Sequence, residues 1–320
     1  MNILITGGLG YIGGRVASYL KEKVPDSRIF LTTRDKNKTL PSWTEKFAAL
    51  PMNLLDEDSI ANCLRNKGID VIIHLAALNE IDSMKDPELA LEINTRGTYK
   101  LLSIANENKI YRFIYFSTFH VYGEAPDSVI TEETPARPFH PYAITHRAAE
   151  DFVTMFNHYH KMKTLIFRLS NGYGYPMDMD IDRWTLVFND LCRQAIASAS
   201  IVLKSSGKQQ RDFISLHDVA RAVYHFLFAV PDNWGDGLYN LGGKCSLSIL
   251  DVAKIISDVH YAKYNKNILE IKTRPDDSGS IISVPVKYSI EKIAKTGFTL
   301  KGDMISEIER TMRVCEKFIK

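Results

Sequence analysis

Cysteine, net charge and long apolar runs are all scarce in this chain of 320 residues. Its four cysteines, Cys63, Cys192, Cys245 and Cys315, lie far apart and form no CxxC pair. That spacing argues against a zinc site or a disulfide framework, and it fits a reducing compartment. The 40 basic and 38 acidic residues leave a formal net charge of +2, which provides no field for steering nucleic acid or a membrane.

The sequence also lacks internal repeats, low-complexity segments and any apolar stretch of membrane-spanning length. Its first residues already form a predicted strand, so no signal peptide is expected. With 45% hydrophobic residues, the chain has enough apolar material for a sizeable core. We therefore expect a globular cytoplasmic protein without a metal site.

Strand and helix patterns alternate regularly through the first half of the chain. Apolar runs and helical spacing predict strands at residues 28–33, 70–75, 113–117 and 165–168, and helices at residues 58–65, 88–108 and 142–160. Near-continuous apolar strands are typical of a parallel sheet that is buried on both faces. The pattern predicts an α/β fold with a Rossmann-type doubly wound parallel sheet.

The most informative motif is TGGLGYIG at residues 6–13, directly after the apolar residues 3–5. Gly7, Gly10 and Gly13 are spaced three apart, where glycine permits positive φ and lets backbone N–H groups approach a pyrophosphate. The helix that follows would direct its partial positive charge at the same anion. A tight turn without a ligand is the alternative, but a strand–turn–helix context favours dinucleotide binding.

The regular alternation ends near residue 172. We therefore expect a dinucleotide-binding Rossmann domain over residues 1–171 and a smaller α/β lobe for the substrate over residues 172–320. Part of residues 207–245 is expected to return to the layer of the first domain.

Tyr142 and His146 stand four residues apart at the start of a predicted helix, so their side chains share one face. Upstream, Thr118 closes a strand whose carboxyl end should face the same crevice. A tyrosine placed there acts as a general acid and base if its pKa falls from about 10, and the Thr118 hydroxyl would bond the substrate oxygen. The residues alone leave open whether Tyr142 is catalytic or packs at the helix start.

Further motifs follow in order along nearly the whole chain. They are HLAA at residues 74–77, Asn94 with Gly97 and Thr98, Ser117 and Thr118 with VYG at residues 121–123, Pro141 with Tyr142, Arg168 and Asn171 with YG at residues 173–174, Gly207 with RDF at residues 211–213, DVA at residues 218–220, YNLGG at residues 239–243, and Arg274 with Pro275. Together with the glycine motif, they resemble an extended short-chain dehydrogenase/reductase of the nucleotide-sugar epimerase/dehydratase branch.

This resemblance implies a set of roles. The catalytic residues would be Tyr142, Thr118 and His146. The cofactor would be bound by Gly7, Gly10, Tyr11, Ile12, Gly13, Thr33, Arg34, Asn53, Leu54, Leu75, Ala76, Ala77, Asn94, Tyr142 and His146. The substrate, a nucleotide-diphosphate sugar, would be bound by Asn79, Thr118, Asn171, Arg211 and Arg274. From the residue type alone, Arg211 suits a bidentate phosphate contact, with a surface ion pair as the alternative. The resemblance also implies a homodimer built through the two long helices.

His146 departs from the family, which has lysine at this position. The lysine ammonium bonds the ribose of the nicotinamide and lowers the tyrosine pKa. Histidine is shorter and mostly neutral at neutral pH, so it helps a phenolate much less. The neighbouring Arg147 lies about 100° around the helix and is a poor replacement. We therefore expect a raised Tyr142 pKa and slower catalysis.

The residues after the second strand bear on the choice of cofactor. An acidic residue usually follows the glycines by about 20 positions in NAD enzymes, where it binds the adenosine ribose. That register gives Thr33 and then Arg34, with Asp35 as the competing candidate if the strand ends later. Because Arg34 would pair with a 2′-phosphate, NADP is favoured over NAD.

Phe119 and His120 follow Thr118, where the sugar 4,6-dehydratases of this family carry Asp-Glu. Phe119 cannot act as an acid, which disfavours a dehydratase, and His120 either packs or bonds the substrate. The resulting expectation is an NAD(P)-dependent nucleotide-sugar epimerase that transiently oxidises a sugar carbinol, usually at C4. Two alternatives stay open: an NADPH-dependent nucleotide-4-keto-sugar reductase, and a cofactor-binding module whose turnover is reduced or lost because of His146.

Overall fold

A seven-stranded parallel sheet forms the centre of the protein. The structure is a computed structural model that describes residues 1–35, 37, 39–124, 129–181, 183–198, 200–265, 267–275 and 285–318. The strands are β1 (Asn2–Thr6), β2 (Arg28–Thr33), β3 (Ala48–Pro51), β4 (Val71–His74), β5 (Arg112–Thr118), β6 (Lys163–Leu169), β7 (Asn171–Tyr173), β8 (Ser200–Val202), β9 (Gln210–Ser215), β10 (Leu238–Leu241), β11 (Ser246–Ser248) and β12 (Glu270–Lys272). The central sheet has the order β3-β2-β1-β4-β5-β6-β10 with every pair parallel, which confirms the predicted doubly wound α/β fold.

Helices cover both faces of this sheet. They are α1 (Tyr11–Lys23), α2 (Glu57–Leu64), α3 (Glu80–Lys85), α4 (Pro87–Ala90), α5 (Thr98–Glu107), α6 (Pro141–His160), α7 (Val187–Ala197), α8 (Leu216–Tyr224), α9 (Ile249–Tyr264), α10 (Glu291–Ala294) and α11 (Met304–Cys315). Within the described ranges, no helix is both long and apolar enough to cross a lipid bilayer.

The sheet has an apolar core on each face because successive strand residues point to opposite sides. Ile3 and Ile73 face the side of α1 and α8, whereas Leu4 and Ile72 face the side of α2, α5 and α6. All four side chains are fully buried. Burial of such a side chain stabilises the fold by roughly 1.5–3 kcal/mol, so the two cores hold the strand ends in fixed positions.

The single helix predicted at residues 88–108 is confirmed in extent, since helical turns run without a break from Pro87 to Glu107, but its middle is not α-helical. A π-helix (Leu91–Gly97) separates α4 from α5, and Leu91, predicted to share the buried face, is half exposed. The wider π turns let two consecutive side chains reach α6: Asn94 Nδ2 donates to Thr145 Oγ1 (3.1 Å), and Thr95 Oγ1 donates to the Thr145 carbonyl (2.9 Å). Such π segments often occur at functional sites.

A third core lies in the second half of the chain, among α7, α9 and α11. A three-stranded sheet (β11-β9-β7) and a two-stranded sheet (β12-β8) belong to this half. Two of its elements lie against the central sheet, since β10 pairs with β6 and α8 packs on α1.

The first and last helices are joined by a buried ion pair. Arg15 on α1 donates from Nη1 to Glu307 Oε2 (2.8 Å) on α11, and both side chains are about 6% exposed. The guanidinium also lies 3.7 Å from the centre of the Tyr175 ring. Because a buried charge without its partner is costly, these contacts fix the position of α1 relative to the chain's C-terminal part.

Candidate active site

A cleft of about 930 Å³ opens at the carboxyl ends of the central strands. From β1 the chain builds outward through β2 and β3, and it then returns to the other side of β1 with β4. The strand order therefore reverses between β1 and β4, which is where ligands bind in open α/β sheets. The glycine turn after β1 and the Thr118 end of β5 both line this cleft.

The glycine turn leaves no room for side chains. Gly7 has φ +65°, and a Cβ added there would lie 2.9 Å from the Ala76 nitrogen. A Cβ on Gly13 would lie 2.3 Å from the Gly7 carbonyl oxygen. At the start of α1, Gly10 supplies no side-chain cap and the first turn has no acidic residue. The N–H groups and partial positive charge of α1 thus fit the diphosphate of a dinucleotide.

The hydrogen bonds around His74 have fixed directions. Thr98 Oγ1 donates to the Asn94 carbonyl (2.6 Å), so its lone pair accepts from His74 Nε2 (3.0 Å). His74 Nδ1 must then accept from Thr6 Oγ1 (2.6 Å), which itself accepts from the two backbone N–H groups that follow His74. Burial lowers the pKa of His74 to about 3, so the ring stays neutral. This chain of bonds holds the cleft wall in place next to the glycine turn.

Asn94 lies behind this wall and does not line the cleft. Its Oδ1 accepts from the backbone N–H of Leu78 (2.6 Å), and its amide donates to Thr145 on α6. The structure therefore places Asn94 as a buried support of the cleft and gives it no surface toward a cofactor.

Tyr142 lies at the first turn of α6, and its backbone N–H is capped by His140 Nδ1 (3.2 Å). Its ring meets the His146 ring edge-on at 4.4 Å. Burial raises the pKa of Tyr142, the Glu80 carboxylate raises it further, and the Thr118 hydroxyl partly offsets the increase. The pKa is raised as the sequence indicated, but burial is the largest cause.

His146 is 2% exposed and lines the cleft. Its Nδ1 lies 2.7 Å from the Tyr115 hydroxyl, whereas its Nε2 has no partner among the described residues. Burial lowers the pKa of His146 to about 4, so the imidazole is neutral at neutral pH. An unpaired buried nitrogen at this wall fits a ligand hydroxyl such as that of a ribose.

Arg147 does not take the place of the missing lysine. Its guanidinium pairs with Glu150 (3.0 Å) and Asp151 (2.8 Å) farther along the same helix. Both contacts draw the charge away from Tyr142, as its position on the helix predicts.

His120 contacts a carboxylate that the sequence did not reveal. Its Nε2 lies 2.7 Å from Glu80 Oε1, and both side chains are about half exposed in the cleft. The bond to His120 lowers the pKa of Glu80. The His120 ring centre lies 4.2 Å from that of Phe119. Glu80 was not predicted from the sequence as a site residue, because Glu80 begins α3 whereas His120 follows β5. The only indication in the sequence was that Glu80 lies three residues after the HLAA motif.

The predicted substrate residues are only partly brought together. Asn171 and Arg211 line the cleft, and of the described carboxylates none forms an ion pair with Arg211. Arg274 follows β12 on the separate two-stranded sheet, where it is exposed and its backbone N–H donates to Ser205 (3.1 Å). Arg274 is not among the described residues that line the cleft.

The far end of the cleft holds the residues expected at the adenosine. Thr33 and Arg34 line it, and the Thr33 hydroxyl donates to the Asp35 carbonyl (3.1 Å). The Asp35 carboxylate accepts from the backbone N–H of Asn37 (2.8 Å) and does not line the cleft. At this end of the cleft, Arg34 thus lines the wall and Asp35 does not.

Most other predicted residues share this cleft. The predicted residues that line it are Gly7, Gly10, Tyr11, Ile12, Gly13, Thr33, Arg34, Asn53, Leu54, Leu75, Ala76, Ala77, Asn79, Thr118, Tyr142, His146, Asn171 and Arg211. The Tyr11 hydroxyl is already used, since it donates to the Gly174 carbonyl (2.6 Å).

Comparisons with known proteins agree with this geometry. The model of the NAD dependent epimerase/dehydratase family matches residues 3–242. The chain is 29% identical to dTDP-D-glucose 4,6-dehydratase of Homo sapiens over 325 residues, covering 97% of this chain and 88% of the human protein. Two solved structures share the fold. UDP-glucose 4-epimerase of Thermus thermophilus, in complex with NAD, has a TM-score of 0.81 at 22% identity and covers 98% of this chain and 99% of its own. RMD of Pseudomonas aeruginosa, complexed with NADPH, has a TM-score of 0.79 at 21% identity and covers 99% of each chain.

A doubly wound sheet with a glycine turn at its switch point, and a tyrosine beside a threonine at the same edge, define a nucleotide-binding enzyme of the short-chain dehydrogenase/reductase type. The chain belongs to the NAD dependent epimerase/dehydratase family.

Proposed function

We propose that this enzyme is a nicotinamide-dependent epimerase of nucleotide-diphosphate sugars that transiently oxidises a sugar carbinol at C4. The observation that carries the proposal is the position of Tyr142 and Thr118 in the same cleft as the glycine turn. When bound there, a nicotinamide would accept hydride from the carbinol carbon and later return it to the other face of the sugar.

The chain's own residues would move the proton. Tyr142 Oη would take the proton of the sugar hydroxyl and later give it back, while the Thr118 hydroxyl bonds the same oxygen. Because burial raises the pKa of Tyr142, the phenol is almost entirely protonated at neutral pH. Below that pKa, the fraction of Tyr142 present as the phenolate base increases about tenfold for each unit by which the pH rises. The oxidation step should therefore accelerate as the pH rises.

An epimerase is proposed although the human relative is a dehydratase. Loss of water from a sugar needs an acid beside the leaving hydroxyl, and Phe119 has no proton to give.

The proposal is tested by incubating the enzyme with nucleotide-diphosphate sugars and either cofactor. An epimerase forms the epimeric sugar without a lasting change in absorbance at the nicotinamide band. A lasting change would show net oxidation or reduction and replace the proposal with the reductase. Cofactor binding without any turnover would leave only the cofactor-binding module.

His146→Lys is expected to raise kcat at neutral pH and to move the pH optimum downward. An ammonium beside the ring of Tyr142 would favour the phenolate, which a neutral imidazole does not do. The measurement is a pH–rate profile of the variant against the natural enzyme, with His146→Gln as a control that adds no charge. An unchanged rate and optimum in His146→Lys would mean that His146 has no part in the proton step.

Arg34 supports a second candidate, an NADPH-dependent reductase of nucleotide-4-keto sugars. The side chain is exposed, lines the cleft and has no ion-pair partner in the part of the chain that the structure describes. A guanidinium at the adenosine end would pair with a 2′-phosphate, which NADH lacks. A reductase would consume NADPH with each turnover, so a preference for this cofactor supports net reduction.

Arg34→Ala is expected to weaken NADPH binding about tenfold, or 1.4 kcal/mol, and to leave NADH binding nearly unchanged. Cofactor titrations by fluorescence would measure both affinities, and Arg65→Ala, at another exposed arginine, is the matched control. A tenfold preference of the natural enzyme for NADH would overturn the NADP assignment.

We also propose that the enzyme is a cytoplasmic homodimer. The half-exposed apolar side chains of Leu91, Tyr99 and Ile144 support the dimer, because they lie on α6 and on the π-helix and α5 beside it.

A further inference from the structure

We propose that Tyr115 is a positioning residue: it holds His146, which lines the cleft, in the tautomer that carries its hydrogen on the buried and unpartnered Nε2. Tyr115 lies on β5 behind the cleft wall and was not singled out by any motif. The use of this donor in binding a cofactor rests on the proposed function, whereas the tautomer itself does not.

The tautomer follows from counting hydrogen bonds. The Tyr115 hydroxyl is 2.7 Å from His146 Nδ1, and it has no other partner among the described residues. If the hydroxyl donates to Nδ1, its hydrogen is paired, and Nε2–H is the only donor left over. If Nδ1–H donates to the hydroxyl, both the tyrosine hydrogen and the Nε2 lone pair are left unpaired. A buried group without a partner is costly, so the first arrangement is favoured.

Tyr115 is held firmly enough to impose this choice. Its side chain is 2% exposed, on a strand paired on both sides in the central sheet. On one side its ring stacks against His74 at 5.8 Å, with 29° between the ring planes. His74 is itself fixed by its bonds to Thr6 and Thr98. The hydroxyl oxygen is therefore held within hydrogen-bond distance of His146 Nδ1.

The consequence concerns what the cleft recognises at this point. Nε2–H is a neutral donor, so it can donate a hydrogen bond to a ligand oxygen with a free lone pair, such as that of a sugar or ribose hydroxyl. The other charged or titratable groups acting on the ring are Glu150, His120 and Glu80, and none of them is hydrogen-bonded to it in the described structure. Among the described residues, the Tyr115 hydroxyl is thus the group whose hydrogen bond sets the tautomer of this ring.

The decisive experiment measures the His146 tautomer in the protein without ligands. Full-length protein labelled with ¹⁵N-histidine is examined by NMR, and the His146 signals are identified by their loss in His146→Gln. The expected result is a hydrogen on Nε2 and none on Nδ1. A hydrogen on Nδ1 in the natural protein would overturn the proposal without any variant being needed.

Tyr115→Phe supplies the second readout. Removing the hydroxyl should convert the single tautomer of His146 into a mixture and weaken NAD(P)H binding by roughly 3–10-fold. Tyr122→Phe is the matched control, since it removes a buried hydroxyl bonded to Asn240 and should leave the tautomer unchanged. A Tyr115→Phe spectrum identical to that of the natural protein would contradict the proposal, whereas an inactive enzyme with the expected tautomer would contradict only the proposed function.

Discussion

Replacing Tyr142 with phenylalanine is expected to lower kcat by roughly 10²–10⁴-fold, the usual contribution of a positioned acid or base. The ring stays and keeps its edge contact with His146, so the cleft should retain its shape. Affinity for the cofactor and for a nucleotide sugar should therefore change little. The loss would lie in kcat, because the phenol oxygen acts on the reacting hydroxyl and contributes little to binding either ligand.

Steady-state rates and binding titrations on the same preparation separate these effects. Tyr159→Phe, at an exposed tyrosine on the last turn of the same helix, is the control and should behave as the natural enzyme. A Tyr142→Phe enzyme with full activity would remove the phenol from the proposed proton step. Loss of ligand binding instead of turnover would assign Tyr142 a structural role.

Glu150→Gln is expected to destabilise the fold by about 3–5 kcal/mol, because it leaves the Arg168 charge buried without a partner. The two side chains are 1% and 3% exposed, and Arg168 donates to Glu150 from Nη2 (2.7 Å) and Nε (3.0 Å). This pair ties α6, the helix that carries Tyr142 and His146, to β6. The variant should therefore lose the geometry of the site as it loses stability.

Urea unfolding followed by fluorescence and circular dichroism would measure the change. Asp151→Asn, at the adjacent exposed position, should shift stability by no more than about 0.5 kcal/mol. The double variant Glu150→Leu/Arg168→Met removes both charges and should recover much of the loss. A Glu150→Gln protein as stable as the natural one would show that water reaches the pair.

The central sheet could be predicted because its strands are short apolar runs whose burial depends on local sequence. β2 begins and ends where the pattern placed it, at Arg28 and Thr33. The π-helix could not be predicted, because the spacing of Thr95, Thr98 and Leu102 still satisfies an ordinary helix. The π-helical segment makes hydrogen bonds to α6, a partner that lies about 50 residues away in the chain and that no local pattern shows.

The residues of the site also fall into those that a local motif predicts and those whose position depends on distant parts of the chain. Residues carried by a motif at a strand end or a helix start, such as Gly7, Thr118 and Tyr142, were predictable and lie in one cleft. Tyr115 was not, since an aromatic residue within an apolar strand is usually core. Arg274 does not line the cleft, and its position depends on the pairing of β12 with β8, which no local pattern reveals.

The buried contact between Arg15 and Glu307 constrains how this protein can be recombined. Exchanging the C-terminal half for that of a relative would leave the Arg15 guanidinium buried without its carboxylate partner, on the helix that follows the glycine turn. Such chimeras should be built with both partners transferred together, or with α11 retained from this chain. Helices α1 and α11 must therefore be exchanged together, although the paired residues lie 292 positions apart in the chain.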